Sequence, residues 1–155
     1  MIVRAATTHH FRKGKQELRE NIFIDAAERD ELSVVRHDFK TADFCKSIGK
    51  LLTMPTAHPP IEYKGLAILR AGAIRACGSK IMDAREETFE GHAHIQHGMM
   101  KRRDDPQDAP AVMALRDRAK ALLHFTKYYP DTNPNNDTWD GPTLLPPKGK
   151  TTTRT

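Results

Sequence analysis

The chain has 155 residues, 38% hydrophobic and 29% charged, and its 25 lysines and arginines against 20 acidic residues give a formal charge of +5. That length buries a core without disulfides or metal as a precondition, and one domain is the default. The two cysteines, Cys45 and Cys77, form no Cys-x-x-Cys pair, which excludes a zinc ribbon or thioredoxin-like motif, and no stretch is long and apolar enough to span a bilayer.

The basic excess favours acidic partners, protein or nucleic acid, without naming one, because basic and acidic residues are interspersed. The segment Met1–Arg12 alternates apolar and polar residues, unlike a signal peptide. Both thiols sit in apolar settings. The expectation is a cytoplasmic protein with buried, reduced cysteines and no membrane partner.

The chain starts with apolar Ile2-Val3 and then carries a basic stretch. Arg4, Arg12, Lys13, Lys15 and Arg19 outweigh Glu17 and Glu20 by +3 over residues 1–20. This is either a phosphate-facing edge or, with no aromatic ladder beyond Phe11, a solvated loop, and the loop is preferred. Asn21-Ile22-Phe23-Ile24 and Glu31–Arg36 have the β-branched character of strands. In the second, Leu32 and Val34 share one face, which leaves Val35 on the other, against a helix or another strand.

Residues 41–52 read as a helix, with Thr41 as N-cap, Asp43 in the first turn, and Phe44, Ile48, Leu51 and Leu52 at helical spacing. Gly49 weakens it by roughly 1 kcal/mol relative to alanine. Pro55, Pro59 and Pro60 then impose an extended loop. Residues 65–70 suit a strand buried on both faces and are taken as the central one. A short helix follows over 71–77, then a strand near 80–82, an acidic loop, and a strand over 92–97 entered from Gly91.

Lys101-Arg102-Arg103, followed by Asp104-Asp105, reads as a loop able to meet phosphate or a partner. From Pro110 the pattern is helical, with Val112, Leu115, Ala119, Leu122, Phe125 and Tyr129 on one stripe. After Tyr129 the composition turns to Pro, Asn, Asp, Gly, Lys and Thr. Residues 1–129 are therefore expected as one compact domain and 130–155 as an extended or disordered tail. Trp139 either docks back onto the domain or anchors the tail on a partner, and docking is preferred.

The densest chemistry lies in Gly91–Gly98, where His92, His94 and His97 stand between two glycines. On a strand, His92, His94 and Gln96 share a face and His97 points away. His92 and His94 can begin a site for zinc or another transition metal. A third ligand would have to come from Asp83, Glu86, Glu87, Glu90, His10 or His37. A metal-free alternative pairs His92 with Ser33 or His10 for proton transfer or nucleophilic attack. The bland alternative is a histidine bonded to a backbone carbonyl beside the core. No Gly-x-Ser-x-Gly elbow, Walker-type loop or Gly-x-Gly-x-x-Gly fingerprint is present.

His10-Phe11, Asp30-Glu31-Leu32-Ser33-Val34, Gly65-Leu66-Ala67-Ile68 and His92-Ala93-His94-Ile95 together resemble short, uncharacterised bacterial proteins with a Leu-Ser-Val strand and a late His-Ala-x-Ile element. The likeness spans residues 9–98. It implies a bacterial or phage origin and singles out His10, Ser33 and His92, without giving them roles. His94, His97 and the C-terminal extension depart from the pattern.

The reading is an α+β fold, a small mixed β-sheet covered by two main helices. Function is expected to be that of an accessory module binding a protein or nucleic acid. Its alternatives are a metal-assisted hydrolase or nuclease built on His92 and His94, and a metal-free toxin- or defence-type enzyme using His10, Ser33 and His92.

Overall fold

The structure is a computed structural model that describes residues 1–24, 30–87, 89–99 and 109–145. It is an α+β fold built on a sheet of six strands: β1 (Ile2–Thr7), β2 (Leu32–Arg36), β3 (Tyr63–Leu69), β4 (Lys80–Asp83), β5 (His92–Gln96) and β6 (Lys127–Pro130). Their spatial order is β4-β5-β2-β1-β3-β6. All pairs are antiparallel, so the expected mixed sheet is corrected to a purely antiparallel one. The middle of the sheet is the β2–β1 pair rather than β3, although β3 is flanked on both sides and fully buried over Leu66–Leu69. Burying one such aliphatic side chain contributes about 1.5–3 kcal/mol, so this run is a principal anchor of the core.

Helices α1 (Ala42–Leu51) and α3 (Ala109–His124) lie on opposite faces of the sheet, and the short α2 (Ala71–Ala76) links β3 to β4. On one face Ile2, Leu32, Val34, Leu69 and Ile95 pack with Ala119 and Leu122 of α3. On the other, Val3, Val35, Ile68 and Tyr129 pack with Cys45 of α1. Val35 therefore does face a helix from the side opposite Leu32 and Val34.

The segment 21–24, expected as a strand, lies mostly in a single turn of 3-10 helix, Glu20–Phe23, that buries Ile22 and Phe23 completely against the α3 side. The three apolar residues Ile22-Phe23-Ile24 carry no period long enough to separate a strand from a turn. Ile2 begins a six-residue strand rather than a brief apolar start, and all six of its residues are buried.

Thr41 caps α1 as expected, its Oγ1 accepting from the Phe44 amide at 3.2 Å. The buried face of α1 is Cys45, Lys46 and Gly49, whereas Leu51 is 78% exposed and Leu52 is also exposed. Gly49 sets that face: a Cβ there would come within 2.7 Å of the Tyr63 ring and 2.9 Å of the Ala5 side chain. The glycine trades helix propensity for close approach of α1 to β1 and β3.

The long helix ends at His124 instead of continuing through 128, because Lys127–Pro130 pair with β3. There the period changes to two, and Tyr128 and Tyr129 join opposite core clusters. Cys77 is half-buried, which corrects its expected burial, while Cys45 is buried; both are free. Residues 131–145 form no helix or strand but lie against the domain, and residues 146–155 fall outside the described ones.

Candidate functional site

Ser33 stands opposite His94 in the β2–β5 ladder, and Val35 opposite His92. The two-residue period places all four on the same sheet face. That face is packed by α1 near β1 and β3, and opens toward β4 and β5, where Met82 and Lys80 are exposed and His94 and Gln96 half-buried.

The Ser33 hydroxyl reaches diagonally across the ladder to His92, with Oγ and Nε2 at 2.8 Å. Phe89 stacks on the His92 ring at 4.6 Å and 4° between planes, and Phe44 from α1 meets it edge-on. His94 meets the His92 ring edge-to-face at 4.6 Å. These contacts fix the imidazole by packing. The chain turn that brings Phe89 there closes through Phe89 N–H donating to the Glu86 carbonyl at 2.9 Å.

Glu86 Oε1 lies 3.6 Å from His92 Nδ1, which is buried and, among the described residues, has no hydrogen-bond partner. The carboxylate belongs to a largely exposed side chain. If Nε2 accepts from Ser33, Nδ1 bears the hydrogen. Arg4 donates from a guanidinium nitrogen to the Ser33 carbonyl at 2.7 Å, holding the serine backbone from β1. A cavity of about 30 Å³ bordered by Ser33, Arg4 and Cys45 has room for about one water. Burial and the adjacent His92 lower the His94 pKa, with Glu31 and Glu86 opposing.

His10 takes no part in this cluster through any described contact. It is buried at the end of β1, where its Nδ1 accepts the Thr7 amide at 3.0 Å and its ring lies 4.0 Å from that of His9. Of the three residues expected to act together, Ser33 and His92 meet, and His10 has a structural role at a chain turn.

His97 points to the opposite face, as the strand period requires. It is buried, with Ser79 Oγ at 2.8 Å from Nδ1 and the Phe23 carbonyl at 2.8 Å from Nε2, and its own amide donates to Asp30 at 2.6 Å. Desolvation lowers its pKa, against the raising influence of the Phe23 carbonyl and Asp30.

Among the described residues no group of three or more His, Cys, Asp or Glu side chains is placed to hold a metal ion. His92 and His94 are neighbours, but His92 Nε2 is already engaged by Ser33. Lys101, Arg102 and Arg103 lie outside the described residues. Trp139 docks on α1: its amide donates to Asp43 at 2.5 Å and its indole N–H to the Pro142 carbonyl at 3.0 Å.

Sequence reasoning named Glu86 only as a metal ligand and missed Phe89. A signal for both existed in the Glu-x-x-Phe-x-x-His spacing, readable only once the turn before β5 is known. No helix among the described residues is long and apolar enough to cross a membrane. Comparison of the chain with protein-family models, with curated proteins and with solved structures finds no match.

Proposed function

We propose that the protein is a metal-independent hydrolase of the acyl-transfer type, with Ser33 as nucleophile and His92 as general base. The observation that carries this reading is the 2.8 Å contact between Ser33 Oγ and His92 Nε2, part-buried between α1 and the β4–β5 side of the sheet. A serine hydroxyl is a weak nucleophile until a hydrogen-bonded base takes its proton, and the base in turn needs an orienting group. In this reading Glu86, whose Oε1 lies 3.6 Å from Nδ1, moves in to take that role.

In the proposed reaction Ser33 Oγ attacks a substrate carbonyl while His92 Nε2 removes the hydroxyl proton. Glu86 stabilises the imidazolium, and His92 returns the proton to the leaving group. Water then hydrolyses the acyl-serine by the same proton path. His94, across the ladder from Ser33 and held toward its neutral form, offers an imidazole N–H to the developing oxyanion. The accessory reading in which Trp139 anchors a partner draws no support from a tryptophan whose side chain packs against the domain's own core and whose amide bonds to Asp43.

The test is labelling by a fluorophosphonate probe in chelator, with the modified residue located by peptide mass spectrometry. Labelling at Ser33 that is lost in His92→Phe supports the reading. Absence of labelling, or labelling indifferent to His92→Phe, overturns it.

A further inference from the structure

Residues 11–18 form a small basic hairpin closed by the Phe11–Leu18 bridge, with the Arg12 amide donating to the Glu17 carbonyl at 3.0 Å and the Lys15 amide to the Arg12 carbonyl at 2.9 Å. Gly14 supplies the positive φ of +73° that the turn needs. Between this hairpin and the β3–β6 edge lies a groove of about 450 Å³ whose walls include Phe11, Arg12, Lys13, Lys15, Lys64 and Tyr128. A volume of that order falls in the range of about 300–1,000 Å³ typical of small-ligand pockets.

The charges there do not cancel. Arg12 faces Glu17 at 3.6 Å, and Lys64 pairs with Glu62 at 2.7 Å. Asp131 also touches the groove, but its carboxylate is held by Lys46 at 2.9 Å and accepts the Asn133 amide at 2.9 Å. Lys13 and Lys15 are exposed and, among the described residues, have no acidic partner. Two uncompensated ammonium groups match the charge of about −1.5 to −2 on a phosphate monoester.

One wall is aromatic and rigid. The Phe11 ring meets Tyr128 edge-on at 5.1 Å, and the Tyr128 hydroxyl donates to the Lys64 carbonyl at 2.7 Å. Cations beside a fixed aromatic wall form the pairing that holds a phosphate together with a planar base.

We infer that this groove binds the phosphate-bearing unit of a nucleotide, supplied either free or at the 5′ end of a single strand. β3 and β1 separate β6 from β2, so the groove is distinct from the Ser33–His92 cluster, and the inference does not rest on the hydrolase reading.

The experiment is calorimetric titration of the full chain with ATP, with adenosine, with inorganic phosphate, and with a 5′-phosphorylated oligothymidylate. Wild type is compared with Lys13→Glu/Lys15→Glu and with Phe11→Leu. ATP or the oligonucleotide should bind, adenosine far more weakly, and the double variant should lose at least tenfold. Phe11→Leu should weaken the base-bearing ligands and leave inorganic phosphate unchanged. For the oligonucleotide, two neutralised charges predict a loss of about sevenfold between about 50 and 200 mM salt. Preference for ATP over the oligonucleotide identifies the free nucleotide as the source, and the reverse identifies the strand. Adenosine binding as tightly as ATP, unchanged affinity in the double variant, or no binding of either phosphorylated ligand would overturn the inference. Both lysines are exposed on a hairpin without described partners, so loss of binding with an unchanged circular-dichroism spectrum is not a folding defect.

Discussion

Lys46 of α1 and Asp131, just past β6, form an ion pair of 2.9 Å in which neither side chain has any exposure. The ammonium also donates to the Asn133 and Thr138 carbonyls, each at 2.8 Å, so one buried cation ties the segment after β6 to α1. Burial, with the Asp131 carboxylate second, pushes the neighbouring Tyr63 hydroxyl far above its ordinary range. Replacing Lys46 by Met leaves the carboxylate buried without its partner, a loss typically of about 3–5 kcal/mol. Urea unfolding of Lys46→Met should show a fall of that size, and Lys46→Met/Asp131→Leu should recover part of it. Trp139 is the only tryptophan, so its emission should shift to the red in the single variant if the segment is released.

Gly65 offers a second stability test. It has φ +150°, and a Cβ there would overlap the Tyr129 carbonyl across the β3–β6 ladder. An alanine side chain meets both an unfavourable backbone conformation and a neighbouring strand. Gly65→Ala should therefore cost about 2 kcal/mol or more by urea unfolding and loosen β6 first. Amide exchange at Tyr128 and Tyr129 should accelerate more than at Val3 and Val35.

The elements with a sustained period or a capping residue were legible in the sequence. Thr41 and Asp43 announced α1, Gly91 announced β5, and Leu32, Val34 and Val35 declared two opposite core faces. Short segments were not. Ile22 and Phe23 bury equally well in a strand or a turn, and β6 was hidden because Tyr129 continues the spacing of α3. The site was half readable: His92 and His94 followed from the strand period, but the Ser33–His92 contact depends on which strand lies beside β5. Strand order is set by tertiary packing, and no residue pattern in β2 names β5 as its neighbour. Lys46 was invisible for a related reason, since a lysine among Cys45 and Gly49 reads as solvent-facing until Asp131 is brought over it.

His97 makes stability depend on pH. Its folded pKa is lowered, with desolvation the leading cause, while an unfolded histidine titrates near 6.5. Between the folded value and about 6.5 the unfolded chain holds the extra proton. Stability therefore falls as pH drops through that window and is insensitive to this group above it. One proton gives a slope of at most about 1.4 kcal/mol per pH unit. Urea midpoints for wild type should decline from pH 7.5 to 5.5, and His97→Gln, which retains a donor for the Phe23 carbonyl, should decline less. An equal decline in both would place the pH sensitivity in other groups.

A double-mutant cycle separates the energy of the Ser33–His92 contact from packing. His92→Phe preserves a ring to stack on Phe89 and to meet His94 while removing Nε2. Ser33→Ala removes the hydroxyl and leaves the backbone carbonyl that accepts from Arg4. A neutral side-chain hydrogen bond contributes about 0.5–1.5 kcal/mol net, so the double variant should be more stable than the sum of the single losses predicts by about that amount. The hydroxyl of Ser33 has one described hydrogen-bond partner, so the cycle reports this contact. Additive losses in urea unfolding would mean that the two groups are neighbours without a bond in solution, and the proton path from Ser33 to His92 would lose its physical basis.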